Sequence, residues 1–218
     1  MAVIFDCDGV LVDTELLANR CFAAALNRIG LPWSVDETMR RLVGRSMRAC
    51  IAIIENEAGR PLPTDFLARL QADTFEAFRS EPVQPVAGIV GVLDWLERHD
   101  IAYCVASSGE IEKMRLTLGL TGLLPRFEGR MFSASMVPRG KPFPDLFLLA
   151  AHGIGAAPET CSVIEDAVPG VQAGIAAGMR VFAYAGASHA DRAGLVEAGG
   201  IVFDAMDDLP RLLGNQGS

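Results

Sequence analysis

Ala2-Val3-Ile4-Phe5-Asp6-Cys7-Asp8-Gly9-Val10-Leu11-Val12-Asp13-Thr14-Glu15 decides how the rest of the chain is read. Its first four residues are an apolar run that stops abruptly at acids. Such a run reads as a strand buried on both faces of a parallel sheet, with a charged carboxyl end. Asp6 and Asp8 also suit a turn or a helix N-cap after a strand. A long amphipathic helix follows over 14–29, stopped by Gly30-Leu31-Pro32.

Beyond it, the pattern stays helical over 35–42, 47–58 and 65–79, with Gly44, Gly59-Arg60-Pro61 and Glu81-Pro82 as punctuation. The alternation of strand and helix then resumes. Helices are expected over 89–98, 111–118, 144–152, 168–177, 190–198 and 207–213. Strands are expected over 101–106, 131–133, 162–164, 181–184 and 201–203. The fold class is therefore α/β: a Rossmann-like parallel sheet with helices on both faces, plus an inserted all-helical cap domain. The expected division is an α/β core of 1–14 and 83–218 and a helical insertion of 15–82, with linkers at 13–15 and 81–85.

The chain has 218 residues, half of them hydrophobic, enough for one large or two unequal domains. Its 19 basic and 27 acidic residues leave a net charge of −8, so nucleic acid is not an expected partner. A small anionic substrate stays compatible, because the local field in a cleft can oppose the net charge. No apolar stretch reaches the roughly 18 residues that span a bilayer, and Met1 leads straight into the strand with no basic leader. A cytoplasmic protein with no membrane partner is expected, as a monomer or weak homo-oligomer. The odd, scattered Cys7, Cys21, Cys50, Cys104 and Cys161 read as buried free thiols. His99, His152 and His189 have no metal-ligand spacing and read as surface or helix-end residues. Gly170, Gly174 and Gly178, four apart, read as a close helix-packing stripe.

Ligands of open parallel sheets sit outside the carboxyl ends of the strands. Asp6, Asp8 and Gly9 follow the first strand, and Ser107, Ser108 and Gly109 the second. Lys141 follows the third, inside Gly140-Lys141-Pro142-Phe143-Pro144-Asp145, and Glu165 and Asp166 follow the fourth. Carboxylates gathered at one rim repel one another unless a cation sits among them. With hard oxygens and no His or Cys cluster, that cation is Mg²⁺ and not zinc. Lys141, the Ser107 hydroxyl and the N–H groups ahead of a helix suit phosphate oxygens. Phosphoryl transfer asks mainly for positioning and charge neutralisation, which this set supplies. Ser107-Ser108 also suits an N-cap, and Glu165-Asp166 helix-start acids.

The run 5–15 resembles the first motif of the haloacid dehalogenase-like superfamily. Ser107 resembles the second motif, Lys141 the third, and Val163-Ile164-Glu165-Asp166-Ala167-Val168-Pro169-Gly170 the fourth. The order is right and the motifs reach from residue 5 to 178. The resemblance is to the subgroup with a helical cap after motif one, which includes β-phosphoglucomutase-like enzymes and sugar-phosphate phosphatases. It implies that Asp6 is the nucleophile of an aspartyl-phosphate and Asp8 the acid and then the base. It implies Mg²⁺ ligation by Asp6, the Asp8 carbonyl and Asp166, with Glu165 bound directly or through water. Ser107 and Lys141 would hold the phosphoryl group. Glu15, Arg45, Ser46 and Arg48 are candidates to reach the leaving group from the cap, or are exposed cap surface.

The departures are informative. β-Phosphoglucomutases carry a cap histidine and arginine where this chain has Ala18 and Met47, which favours hydrolysis over mutase chemistry. Dehalogenases lack the second motif-one aspartate, which Asp8 supplies here. Ala167 replaces a commoner serine. The expectation is thus a Mg²⁺-dependent phosphatase of a small phosphorylated metabolite, a sugar or sugar-acid phosphate. The alternatives are a β-phosphoglucomutase-like phosphotransferase and, remotely, a phospho-aspartate receiver switch. Receivers are about half this length, lack the helical insertion and carry their aspartate on a later strand.

Overall fold

β1 (Ala2–Phe5) is buried at every position. Its two-residue period sends Val3 and Phe5 into one apolar cluster and Ala2 and Ile4 into another on the opposite face. β2 (Val12–Asp13) comes next, then α1 (Glu15–Arg28), α2 (Val35–Leu42), α3 (Met47–Ala58) and α4 (Phe66–Ser80). β3 (Gln84–Pro85) is followed by α5 (Ile89–Arg98), β4 (Ala102–Ser107), α6 (Ile111–Leu120), α7 (Leu124–Phe127) and β5 (Met131–Ser133). The chain continues with α8 (Asp145–Gly153), β6 (Cys161–Glu165), α9 (Val168–Ala176), β7 (Arg180–Tyr184), α10 (Arg192–Glu197), β8 (Ile201–Phe203) and α11 (Leu209–Gly214). The computed structural model describes residues 1–43, 45, 47–187 and 190–214. Gly44, Ser46 and His189, singled out above, lie outside the described residues.

The main sheet has six strands in the order β5-β4-β1-β6-β7-β8, every pair parallel. From β1 the chain moves outward through β4 and β5, then returns to β6 on the other side of β1. Strand order thus reverses at β1, and a crevice opens there at the carboxyl ends. The cluster of Val3, Phe5, Val105 and Ile164 extends into α5, α6 and α11. That of Ile4, Ala106, Val163 and Val181 extends into α8, α9 and α10. The doubly covered parallel sheet agrees with the sequence expectation.

α1–α4 carry an apolar core of their own, built on Phe22, Leu26, Trp33, Leu42, Ile54, Phe66 and Leu70. α1 packs along α4 and against α2. The Ser34 hydroxyl accepts the Glu37 N–H at 3.1 Å and caps α2.

Several expectations are corrected. Where the two linkers were expected, β2 and β3 form an antiparallel pair, Val12 opposite Pro85 and Asp13 opposite Gln84. α7 was absent from the sequence reading, because a four-residue helix has no detectable period. The helix expected over 190–198 is shortened to Arg192–Glu197, where the Asp191 carboxylate accepts the Gly194 N–H at 3.0 Å. The segment expected as one helix over 207–213 begins as a 3₁₀ turn at Met206–Asp208. Cys7, Cys50, Cys104 and Cys161 are buried free thiols, but Cys21 is only partly buried. The glycine stripe is not a packing stripe throughout. A Cβ at Gly170 would fall 1.7 Å from Glu165 Oε1, and one at Gly174 2.5 Å from Val181, whereas Gly178 has open space. Among the described residues, no helix is long and apolar enough to cross a membrane.

Candidate active site

Asp6 is the first residue beyond β1, and its N–H donates to the Ile164 carbonyl at 2.9 Å, tying it to β6. The chain then folds back on itself: the Leu11 and Val12 N–H groups donate to the Cys7 carbonyl, and the Gly9 N–H to that of Val12. Asp6 and Asp8, two residues apart, are thereby fixed at the same rim.

Lys141 reaches this rim from the loop between β5 and α8. Its Nζ donates to Asp6 Oδ1 at 2.5 Å and to Glu165 Oε1 at 2.6 Å, and stands 5.0 Å from the centre of the Phe147 ring. Lys141 is 5% exposed, so water hardly weakens these pairs. Burial alone would depress the ammonium, but the Asp6 and Glu165 charges overcome it and hold Lys141 above its ordinary value. Burial pushes the Asp6 carboxyl up to about 7 against the pull of Lys141, with Glu165 and Asp8 adding repulsion. The other Glu165 oxygen accepts the Asp166 and Ala167 N–H groups, both at 2.9 Å. Glu165 is thus an internal strut with both oxygens engaged.

Asp8 Oδ1 accepts from Thr14 Oγ1 at 2.5 Å and from Lys113 Nζ at 2.9 Å. Burial would raise this carboxyl, but Lys113 and Thr14 bring it below its ordinary value. The Asp166 carboxyl is held well above the carboxylate range, first by burial and then by Glu15, Glu165 and Asp6. It lies over Gly9: a Cβ there would fall 2.0 Å from Asp166 Oδ2, and Gly9 has φ +80°, so only glycine leaves the carboxylate its place. The Ser107 hydroxyl, at the end of β4, accepts the Gly109 N–H at 3.0 Å, while Ser133 Oγ donates to the Gly109 carbonyl at 2.8 Å. The buried Ser108 Oγ has no partner among the described residues.

A cavity of about 380 Å³ joins this rim to the helical unit. Asp6, Asp8, Ser107, Ser108, Gly109, Lys141, Glu165 and Asp166 line its floor, and Glu15 and Arg45 line it from the helical side. These ten residues border one space. Arg48 is not among the lining residues, and Ser46 lies outside the described residues.

The sequence pattern of the haloacid dehalogenase-like hydrolases matches residues 1–178. This chain belongs to that family. The hydrolase is 31% identical over 212 residues to 6-phosphogluconate phosphatase of Escherichia coli K12, which covers 97% of this chain and 93% of that protein. It is 33% identical over 178 residues to fructose-1-phosphate phosphatase of the same organism, covering 81% of this chain and 92% of that one. Its fold superimposes on a crystal structure of a family hydrolase from Deinococcus radiodurans R1 with bound phosphate and sodium. The TM-score is 0.78 at 30% identity, over 99% of this chain and 96% of that one.

Members of this family use Mg²⁺, and the donors of this hydrolase suit it. Among the described residues no three His, Cys, Asp or Glu side chains converge as a metal cluster. The Glu165 oxygens and Asp8 Oδ1 are committed elsewhere, as above. What remains is the pair of Asp6 and Asp166, both raised by burial and repulsion, and the Asp8 peptide carbonyl. No described backbone N–H donates to that carbonyl. One or two carboxylates, a carbonyl and waters make a Mg²⁺ environment.

The sequence reading of this hydrolase missed Lys113 and Thr14, which grip Asp8, and Ser133, which steadies the Ser107 loop. The available signal for Lys113 was its place near the start of the helix after β4, where a long cation can bend back to the rim.

Proposed function

We propose that the hydrolase is a Mg²⁺-dependent phosphatase of small phosphorylated sugars or sugar acids, acting through an aspartyl-phosphate on Asp6. The observation that carries this reading is the buried Lys141, 2.5 Å from Asp6, on the floor of a cavity sized for a metabolite. The names of the two Escherichia coli relatives supply the sugar-phosphate class.

In this mechanism Asp6 attacks phosphorus, its Oδ–P bond forms and the bond to the leaving oxygen breaks. Asp8, held through Oδ1 by Thr14 and Lys113, gives the leaving oxygen a proton from Oδ2. Lys141 and the Ser107 hydroxyl meet the charge that collects on the equatorial oxygens. Water then attacks phosphorus, Asp8 takes its proton, and inorganic phosphate leaves Asp6. Asp6, Asp166 and the Asp8 carbonyl would hold Mg²⁺, which would supply the neutralisation that lets one anion approach another. Glu165 holds Lys141 in place. The division into core (1–14 and 83–218) and cap (15–82) belongs to the same proposal, with the β2–β3 pair as the double hinge.

Ala18 and Met47, which stand where a mutase carries histidine and arginine, both line the cavity. They bring neither an imidazole nor a guanidinium to it, which favours hydrolysis. The test is phosphate release from a panel of sugar phosphates with Mg²⁺. Asp6→Asn should lower turnover roughly a thousandfold or more with unchanged circular dichroism. Isomerisation of glucose 1-phosphate without phosphate release would replace hydrolysis by the mutase reading.

A further inference from the structure

We infer that the leaving group this cavity accepts is a neutral polyol, and that a second anionic group on the substrate is selected against. The inference rests on the phosphatase reading and narrows it. Two observations, independent of each other, carry it.

The first is the charge around the cavity. Asp6, Asp8, Glu15, Glu110, Glu165 and Asp166 line it, against Arg45, Lys113 and Lys141. Setting Glu15 aside, acids still outnumber bases among the described residues. Lys141 is committed to Asp6 and Glu165, and Lys113 to Asp8. A divalent cation and a phosphate dianion cancel one another, so the surplus of negative charge persists when both are bound. A carboxylate or second phosphate on the leaving group would enter that field unpaired. Arg45 is the remaining cation, and its Nε donates to the Arg41 carbonyl at 3.0 Å.

The second observation is the cap wall. Phe22, Leu42, Val43, Met47, Leu70 and Phe75 face the cavity with nothing to solvate a charge. Apart from Glu15 and Arg45, the polar groups there are uncharged. Asn19 is 8% exposed and borders the cavity; its Nδ2 donates to the Glu15 carbonyl at 2.8 Å, which leaves Oδ1 to accept. Gln71 and Thr74 line the same side from α4. An amide oxygen, an amide and a hydroxyl suit hydroxyl groups, and the apolar residues suit the C–H face of a sugar.

The test compares glucitol 6-phosphate with 6-phosphogluconate, linear monophosphates that differ at C1 in carrying CH₂OH or a carboxylate. Each is used as a competitor of p-nitrophenyl phosphate hydrolysis by the full chain with Mg²⁺, so binding is read whether or not the competitor turns over. The neutral compound should have the lower inhibition constant by about tenfold, the scale of one like charge in such a site. Added salt should narrow the gap. Glu110→Gln should narrow it too, since Glu110 is an exposed lining residue outside the phosphoryl site. Equal or tighter binding of 6-phosphogluconate, lost in Arg45→Ala, would make Arg45 a carboxylate clamp and overturn the inference. Competition by neither compound would overturn it as well. No hydrolysis of any phosphomonoester would instead overturn the phosphatase reading itself.

Discussion

Lys113 is the residue whose role is least visible in the sequence and most specific in the structure. It sits on α6, far along the chain from Asp8, yet its ammonium is 2.9 Å from Asp8 Oδ1 and 6.0 Å from the centre of the Phe78 ring. Both side chains are largely shielded, so the pair is worth more than an exposed ion pair. If Lys113 aims Asp8 at the leaving oxygen, its loss matters most where that oxygen needs a proton. Lys113→Met keeps the stem and its packing on Phe78. It should lower kcat/KM for an alkyl phosphate roughly tenfold to a hundredfold. For p-nitrophenyl phosphate, whose leaving group departs without a proton, the loss should be much smaller. Equal losses for both would reduce Lys113 to a structural prop. Asp6, Asp8 and Asp166 were legible because they stand next to predicted strand ends, and Lys141 because it lies in the loop that follows one. Thr14, Lys113 and Ser133 were not, because each acts on a partner that only the folded chain brings near.

At the scale of elements, the loop carrying Lys141 is braced from outside. Arg139 Nε and Nη2 donate to the two oxygens of Asp145, at 3.0 and 2.8 Å, and the guanidinium lies over the Phe143 ring at 4.6 Å. This bidentate pair spans the loop and fixes the start of α8. The helices α1–α4 are held differently, by their own apolar core. Ile54 is fully buried there. Ile54→Ala should destabilise that unit by about 2–5 kcal/mol. Hydrogen exchange should then quicken in α1–α4 and stay slow in β1 and β6; uniform quickening would show a single cooperative unit. Element bounds were mostly readable from periodicity and punctuation. The two-residue strands β2 and β3 were not, since pairing of such short segments is a property of the partner, not of either sequence.

For the whole molecule, the cavity is made of two parts that meet through β2 and β3, across the cavity itself and where α4 packs on α6. Thr14, which grips Asp8, is the N-cap of α1, and Phe78, which underlies Lys113, lies near the end of α4. Movement of the helical unit is thereby linked to the placement of Asp8. Binding of a phosphate analogue with Mg²⁺ should close the cavity and expel water. Small-angle scattering should register a smaller radius of gyration with orthovanadate than without it; an unchanged radius would remove the support for gating.

The sequence by itself determined the strand–helix alternation, the inserted helical block, and the acids and lysine that end up at one rim. Local patterns carry these, because burial on both faces, helical period and strand-end position are written in neighbouring residues. Tertiary structure alone decided the partners. It committed Glu165 to Lys141 and two backbone N–H groups, gave Asp8 to Thr14 and Lys113, and let Asp166 approach Gly9. It also set a mostly apolar cap wall against an acid-rich floor. Such pairings join residues far apart in the chain, and their energies depend on distance and burial, which exist only once the sheet and helices have packed.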